Sequence, residues 1–267
     1  MPLFPIITVA GVLGLVCGAF VNIFMLRTPD GLEFTAGRRK CVTCARPMHA
    51  KDHFPLISYI VLQGKCRMCK SVIPWQYPAL EIVMALLFMA FAYQIVTQDS
   101  NIPFFARDAS DAMGLFLRNG LLAMLLLPIF MFDYRASIIP DRLSVPAMII
   151  ALSLNAVMGV DPLTMLFGGF LLGAFFAVQY IASRGTWVGG GDIRLAMVMG
   201  FLLGPELGIF ALLTAYAIGA LLGLYLIFFR RRDLRSHVPF GTFMVIGTFI
   251  ALFFGNSFVT WYFGLLG

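Results

Sequence analysis

Apolar stretches almost free of charge recur along this chain, at 6–26, 78–97, 119–132, 143–159, 163–183, 194–204, 206–229 and 239–263. Most approach the roughly 20 residues that an α-helix needs to cross the hydrocarbon of a bilayer. That constrains the fold more than any other feature. The expected class is an all-α polytopic membrane protein with about eight transmembrane helices. The stretches at 119–132 and 194–204 are short for this, and the second is expected to be a half-span or a helix buried by its neighbours. Composition agrees: 60% of residues are hydrophobic and 12% charged, against about a quarter charged in a soluble domain. The 26 glycines suit helices that approach closely in lipid.

Charge sets the expected orientation. With the segment after the first span on the cytoplasmic side and the sides alternating, every Lys and Arg except Arg107 and Arg118 falls in the cytoplasm or at its edge. This is the positive-inside pattern, and it places both termini outside. The net charge of +6 is therefore a topology signal. A nucleic-acid partner is not expected, because the basic residues are spread over separate loops. Residues 1–26 read as a retained first helix rather than a cleaved signal peptide. Pro2 and Pro5 stand where a basic n-region would be, and Arg27 anchors the cytoplasmic end. Arg230, Arg231 and Arg232 read as a topology anchor at the lipid headgroups.

Residues 27–77 form the long polar insert, and it contains two C-x-x-C pairs, Cys41 with Cys44 and Cys66 with Cys69. Two such pairs are the layout of a four-cysteine zinc site, each turn supplying two thiolates. The insert has few large apolar side chains, so a metal staple would help hold it. Cytoplasmic thiols stay reduced, which argues against disulfides. His49 and His53 read as surface residues, since four cysteines already complete a tetrahedron. Cys17 lies inside the first span and reads as a packing residue. The expected organisation is a first transmembrane helix at 1–26, the four-cysteine insert at 27–77 and a seven-helix core at 78–267. No glycine-rich phosphate loop of the dinucleotide-binding kind is present.

Two acidic residues stand at the ends of apolar spans on the same expected side. Asp133 lies in Phe132-Asp133-Tyr134, and Asp192 closes Gly189-Gly190-Gly191-Asp192. A carboxylate at a membrane edge is costly. Two that meet can share a proton, which suits acid–base hydrolysis of a peptide bond. The plainer readings are a helix cap for Asp192 and an interfacial charge for Asp133. Asp141 is the rival partner, although capping or an ion pair fits it better. Glu81 begins the second span, where the helix dipole favours an acid; it is also a candidate for a methyl-transfer site. Asn22, an amide inside the first span, is expected to face the bundle.

In this order, the motifs resemble bacterial type IV prepilin peptidases, also called prepilin leader peptidase/N-methyltransferases, a G-x-G-D family of membrane aspartyl proteases. The resemblance rests on residues 14–29, on 54–59 and 64–67 within the insert, and on Tyr77-Pro78-Ala79-Leu80-Glu81. It continues through Asp133 to Ile139-Pro140-Asp141, Gly189 to Asp192 with Arg194, and Pro239-Phe240-Gly241. It implies cleavage of the basic leader of type IV prepilins or pseudopilins at the cytoplasmic membrane face, with Asp133 and Asp192 as the catalytic pair. It also implies N-methylation of the new N-terminal residue, usually Phe, from S-adenosylmethionine. The enzyme would be a multi-pass protein of the bacterial inner membrane, with lipid around it. Two positions depart from the family pattern: Arg194 stands where Lys is usual, and Arg135-Ala136-Ser137 where some members have His. A peptidase without methyl transfer, a transporter using the aspartates to bind ions, and an assembly partner docking through the zinc knuckle are the competing readings.

Overall fold

A computed structural model describes residues 3–26, 43–44, 46, 56–97, 112–230 and 239–266. Among these the chain is helical, apart from one isolated antiparallel bridge between Lys65 and Val72. The helices are α1 (Leu3–Leu26), α2 (Ile57–Val61), α3 (Gln76–Thr97), α4 (Ala112–Ala136), α5 (Asp141–Val157), α6 (Pro162–Ser183), α7 (Gly190–Arg230) and α8 (Phe240–Leu266). Six of them, α1, α3, α4, α6, α7 and α8, are long and apolar enough to cross a membrane. Helix α5 has 17 residues. The chain divides into two compact units, Met1–Val96 and Thr97–Gly267.

In the first unit α1 and α3 pack through glycines. A Cβ added at Gly14 would sit 2.6 Å from Cα of Ala85, and one at Gly18 would sit 2.7 Å from Cα of Glu81. Absent side chains let the two backbones meet, as is usual between helices in lipid. The approach buries Asn22, which is 1% exposed. Its amide donates to the carbonyl of Tyr77 at 2.9 Å and to Oε1 of Glu81 at 3.0 Å. The other Glu81 oxygen accepts the backbone N–H of Leu56 at 2.8 Å. Asn22 thus faces the bundle as expected, and its amide nitrogen has partners inside it.

In the second unit short loops force successive helices together. Ser137, with φ of 53°, ends α4, and the three residues 138–140 lead into α5. Asp161 caps α6, accepting from the N–H groups of Leu163 and Thr164 at 3.3 and 3.0 Å, and Pro162 fills the first helical position. Helix α4 departs from expectation. The span expected at 119–132 is a 25-residue helix beginning at Ala112. Arg118, expected in an outside segment, lies within that helix and is wholly buried.

Helix α7 is broken at Gly204. Gly204 adopts φ 76° and ψ −178°, a conformation open to glycine alone. Around it the helix doubles back, so that a Cβ at Gly208 would lie only 3.7 Å from Cα of Gly200. In an unbroken helix eight residues would span about 12 Å. The expected spans 194–204 and 206–229 are the two arms of this hairpin. Pro205 has no N–H to give the carbonyl of Phe201. Asn155 on α5 supplies the missing donor, with Nδ2 2.8 Å from the Phe201 oxygen and 3.3 Å from that of Leu202. Arg118 in turn donates from Nη1 to Oδ1 of Asn155 at 2.7 Å, and from Nε and Nη2 to Oδ1 of Asn119 at 3.0 and 2.9 Å. The buried guanidinium therefore completes the polar shell of the break. Against it lies α6, whose Gly168 abuts Gly204 and Pro205, and whose Gly173 abuts Met197.

Candidate active site

Asp133 lies one turn before the end of α4 and is 4% exposed. A carboxylate so placed needs donors, and the first turn of α8 provides two. The backbone N–H of Thr242 donates to Oδ2 of Asp133 at 2.5 Å, and the Thr242 hydroxyl donates to the same oxygen at 3.0 Å. Free N–H groups at a helix start suit an anionic partner.

Asp192 sits in the first turn of α7 and is half-buried. Its Oδ2 accepts the backbone N–H of Gly189 at 2.9 Å, while its own N–H donates to the Gly189 carbonyl at 3.1 Å. This reciprocal pattern is that of an acid closing a helix start, so the capping expected of Asp192 is present. It also fixes the direction of the carboxylate.

The two aspartates come from segments that converge on Ile139. Side-chain atoms of Ile139 lie where a Cβ on Gly191 would fall, at 2.8 Å, and its Cδ1 lies 2.9 Å from where one on Gly241 would fall. That same Gly241 position is 2.9 Å from Oδ2 of Asp133. Any side chain at 191 or 241 would wedge the segments apart, and glycine lets them close. The carboxylates end near enough for the charge of Asp133 to act on Asp192.

A second tie braces the site. Nη2 of Arg194, one turn along α7, pairs with Oδ1 of Asp141 at 2.5 Å. The ion pair expected of Asp141 exists, and its partner is Arg194. Ile139-Pro140-Asp141 thus works as a strut: Ile139 sets the spacing of the aspartate segments and Asp141 holds the start of α7 to α5. Thr242, Ile139 and Gly241 were not candidates from sequence. The hints were the Ile139-Pro140-Asp141 and Pro239-Phe240-Gly241 stretches, and the second reads as the start of a span rather than as the support of a carboxylate 109 residues earlier.

In the first unit the sulfur atoms of Cys44, Cys66 and Cys69 lie within 4.8 Å of one another. A turn closed by Lys70 N–H to the Cys66 carbonyl at 3.0 Å and Cys66 N–H to the Ser71 carbonyl at 2.8 Å brings Cys66 and Cys69 together. Three thiols so gathered are a soft donor set that suits zinc. Cys41, expected as the fourth ligand, lies outside the described residues, as do His49 and His53. Glu81 has both oxygens engaged within its unit, by Asn22 and by Leu56.

The chain is similar to known proteins over both of its units. A family model described as Bacterial Peptidase A24 N-terminal domain matches residues 12–95, and one described as Type IV leader peptidase family matches residues 120–224. The prepilin leader peptidase/N-methyltransferase of Bacillus subtilis is 29% identical over 256 residues, covering 94% of this chain and 95% of that protein. Proteins of the same name from Pseudomonas putida and Pseudomonas aeruginosa are each 27% identical, covering 94% and 96% of this chain and 91% and 92% of their own lengths. No solved structure matches the chain significantly. With the two models together spanning most of the sequence, one over each unit, the chain belongs to the type IV leader peptidase family.

Proposed function

We propose that this protein is a membrane aspartic peptidase that removes the basic leader from type IV prepilins or pseudopilins, with Asp133 and Asp192 as its catalytic pair, and then N-methylates the new N-terminus. One observation carries the catalytic assignment: the tertiary structure brings Asp133 and Asp192 into each other's field at one apolar site, each fixed by a backbone N–H. Two close carboxylates hold one proton between them, since the second is hard to remove beside an existing negative charge. The ionised member takes a proton from water as the water oxygen attacks the scissile carbonyl carbon. The neutral member donates to the carbonyl oxygen. The tetrahedral intermediate then collapses, the C–N bond breaks, and the leaving amine takes up a proton. Acid and base roles belong to the pair as a unit. Thr242 and Gly189 hold the oxygens in place, so little reorganisation is needed as charge moves.

S-adenosylmethionine would supply an electrophilic methyl group to the free amine that cleavage exposes. Glu81, the candidate for a methyl-transfer site, has both oxygens hydrogen-bonded within the fold, to Asn22 and to the Leu56 N–H. Zinc at Cys41, Cys44, Cys66 and Cys69 would be structural, stapling the insert. The charge asymmetry of the loops supports an inner-membrane enzyme whose aspartates face the cytoplasm. There a prepilin whose apolar helix lies in the bilayer would present its cut site.

The test is incubation of the purified protein with a prepilin and S-adenosylmethionine, with products weighed by mass spectrometry. Wild type is expected to yield a product lacking the leader and carrying one extra methyl mass. Asp133→Asn and Asp192→Asn should each lower cleavage by about a thousandfold, in the range set by loss of an acid–base group. Undiminished cleavage by either variant would refute its place in the pair.

A further inference from the structure

The polar insert presents an apolar face just ahead of α3. Ile57, Ile60 and Val61 follow the i, i+3, i+4 spacing that puts side chains on one face of a helix, here α2. Tyr59 lies on the opposite face, where its hydroxyl reaches the Ile73 carbonyl at 3.5 Å and its ring abuts Gly64. Backbone bonds from Cys66 to Ser71 and from Ile73 to Gly64 close residues 64–73 into a hairpin. This hairpin covers the back of α2 and leaves the three aliphatic side chains turned outward. Val72 and Trp75 add to them, and exposure across the five runs from 62% at Ile57 to 75% at Val72. The bridge between Lys65 and Val72 sets an ammonium and an aliphatic side chain next to each other on one face. Arg67 and Lys70 are exposed on the same hairpin.

Depth decides what covers this face. Helix α3 is long and apolar enough to span a membrane and has 22 residues. That is about 33 Å of helix against about 30 Å of hydrocarbon, so Gln76, its first residue, stands near one edge of the bilayer. Glu81 lies about 7 Å further along, and its side chain leans back towards the helix start. The Leu56 N–H, at the entry to α2, donates to that carboxylate at 2.8 Å. The entry to α2 is therefore tied down at the level of the hydrocarbon edge. Trp75, next to Gln76, stands at the same level, which indole rings favour. We propose that Ile57, Ile60 and Val61, with Val72 and Trp75, are immersed in the interfacial layer of the bilayer, so that the insert is moored on an anionic lipid surface. Lys65, Arg67 and Lys70 then extend their charges to the lipid phosphates while their stems stay against apolar surface. A water-facing position would leave five large apolar side chains uncovered beside one another. Because the same hairpin carries Cys66 and Cys69, the mooring also holds the cysteine turn at the membrane surface.

The test reads depth by fluorescence in the full-length protein, reconstituted into vesicles of phosphatidylethanolamine and phosphatidylglycerol. Tryptophan occurs only at 75, 187 and 261, so Trp75→Phe, Trp187→Phe and Trp261→Phe together give a silent background. Ile60→Trp or Val61→Trp is added to it, one at a time. Both sites are exposed, and either variant stands in if the other does not fold. An apolar face moored at the interface sits about 5–10 Å into the headgroup and acyl boundary. Emission from each should therefore be lost in lipids brominated near the top of the acyl chain, and lost less in lipids brominated near its methyl end. Acrylamide in the water should quench it far less than it quenches a free indole. If acrylamide quenches both positions freely and neither brominated lipid does, the face lies in water and the mooring is overturned. If no quencher reaches them, protein covers the face, from a second copy or from this chain, and the mooring is overturned as well.

Discussion

Thr242 grips Asp133 twice through one oxygen, by its backbone and by its hydroxyl. The backbone bond survives any substitution except proline, so the hydroxyl can be tested alone. Thr242→Val keeps the shape and removes that donor. A hydrogen bond to a charged group contributes about 1.5–3 kcal/mol, so kcat should fall by roughly tenfold or more, with KM nearly unchanged. Steady-state cleavage of a prepilin measures this, and an unaltered kcat would mean that the backbone bond suffices. The aspartates themselves are legible in the sequence, because a charge at the end of an apolar run is conspicuous. Their supports are not. Threonine in a helix and isoleucine in a loop are ordinary residues until the fold sets Thr242 against Asp133 and Ile139 between two glycines. Asp141 shows the same limit. Its sequence neighbour Arg142 suggests an ion pair, but consecutive helical residues point in different directions, and the partner is Arg194, reached across from α5 to α7.

At the scale of elements, α7 carries most of what matters, because it holds Asp192 in its first turn and reverses at Gly204. Both halves of the hairpin are visible in the sequence as apolar runs, and Gly204-Pro205 between them is a natural breaker. The polar shell of the break is less visible. Pro205 strips the Phe201 carbonyl of its helical donor, and Asn155 and then Arg118 make up the deficit from α5 and α4. A buried arginine bonded to asparagines has no one-dimensional signature, which is why Arg118 read as a loop charge. Gly204→Ala tests the break. Its φ of 76° with ψ near 180° is strained for any residue with a Cβ, at a cost of about 1–3 kcal/mol. The variant should melt at a lower temperature in detergent, followed by circular dichroism. An unchanged melting curve would mean that the turn can relax into another conformation.

At the scale of the whole molecule, the candidate cysteines and aspartates belong to different units, and the hydrogen bonds described above for each site lie within its own unit. In the first, the Leu56–Glu81–Asn22 chain links the insert to α3 and α1. In the second, Asp133, Asp192 and the α7 break are all supported from within. Metal removal should therefore act on the insert and spare the second unit. The purified protein should carry about one zinc per chain by elemental analysis, and Cys66→Ser should lose it. Chelation should expose the Lys and Arg residues of 27–77 to trypsin while fragments covering the second unit stay intact. Equal proteolysis with and without chelator would show that the insert needs no metal. What the sequence by itself determined follows from lipid acting on each segment separately: class, span positions, expected orientation, the place of the α7 break, the cysteine pairs and the two exceptional aspartates. Hydrocarbon tests every residue for charge and every run for length, and both can be read along a line. Only the tertiary structure decided which groups meet. Asp133 and Thr242 are 109 residues apart, and no local rule of charge or apolar length relates them. Their pairing depends on glycines that let backbones close, on a hairpin that reverses α7, and on Ile139 setting the distance between two carboxylates.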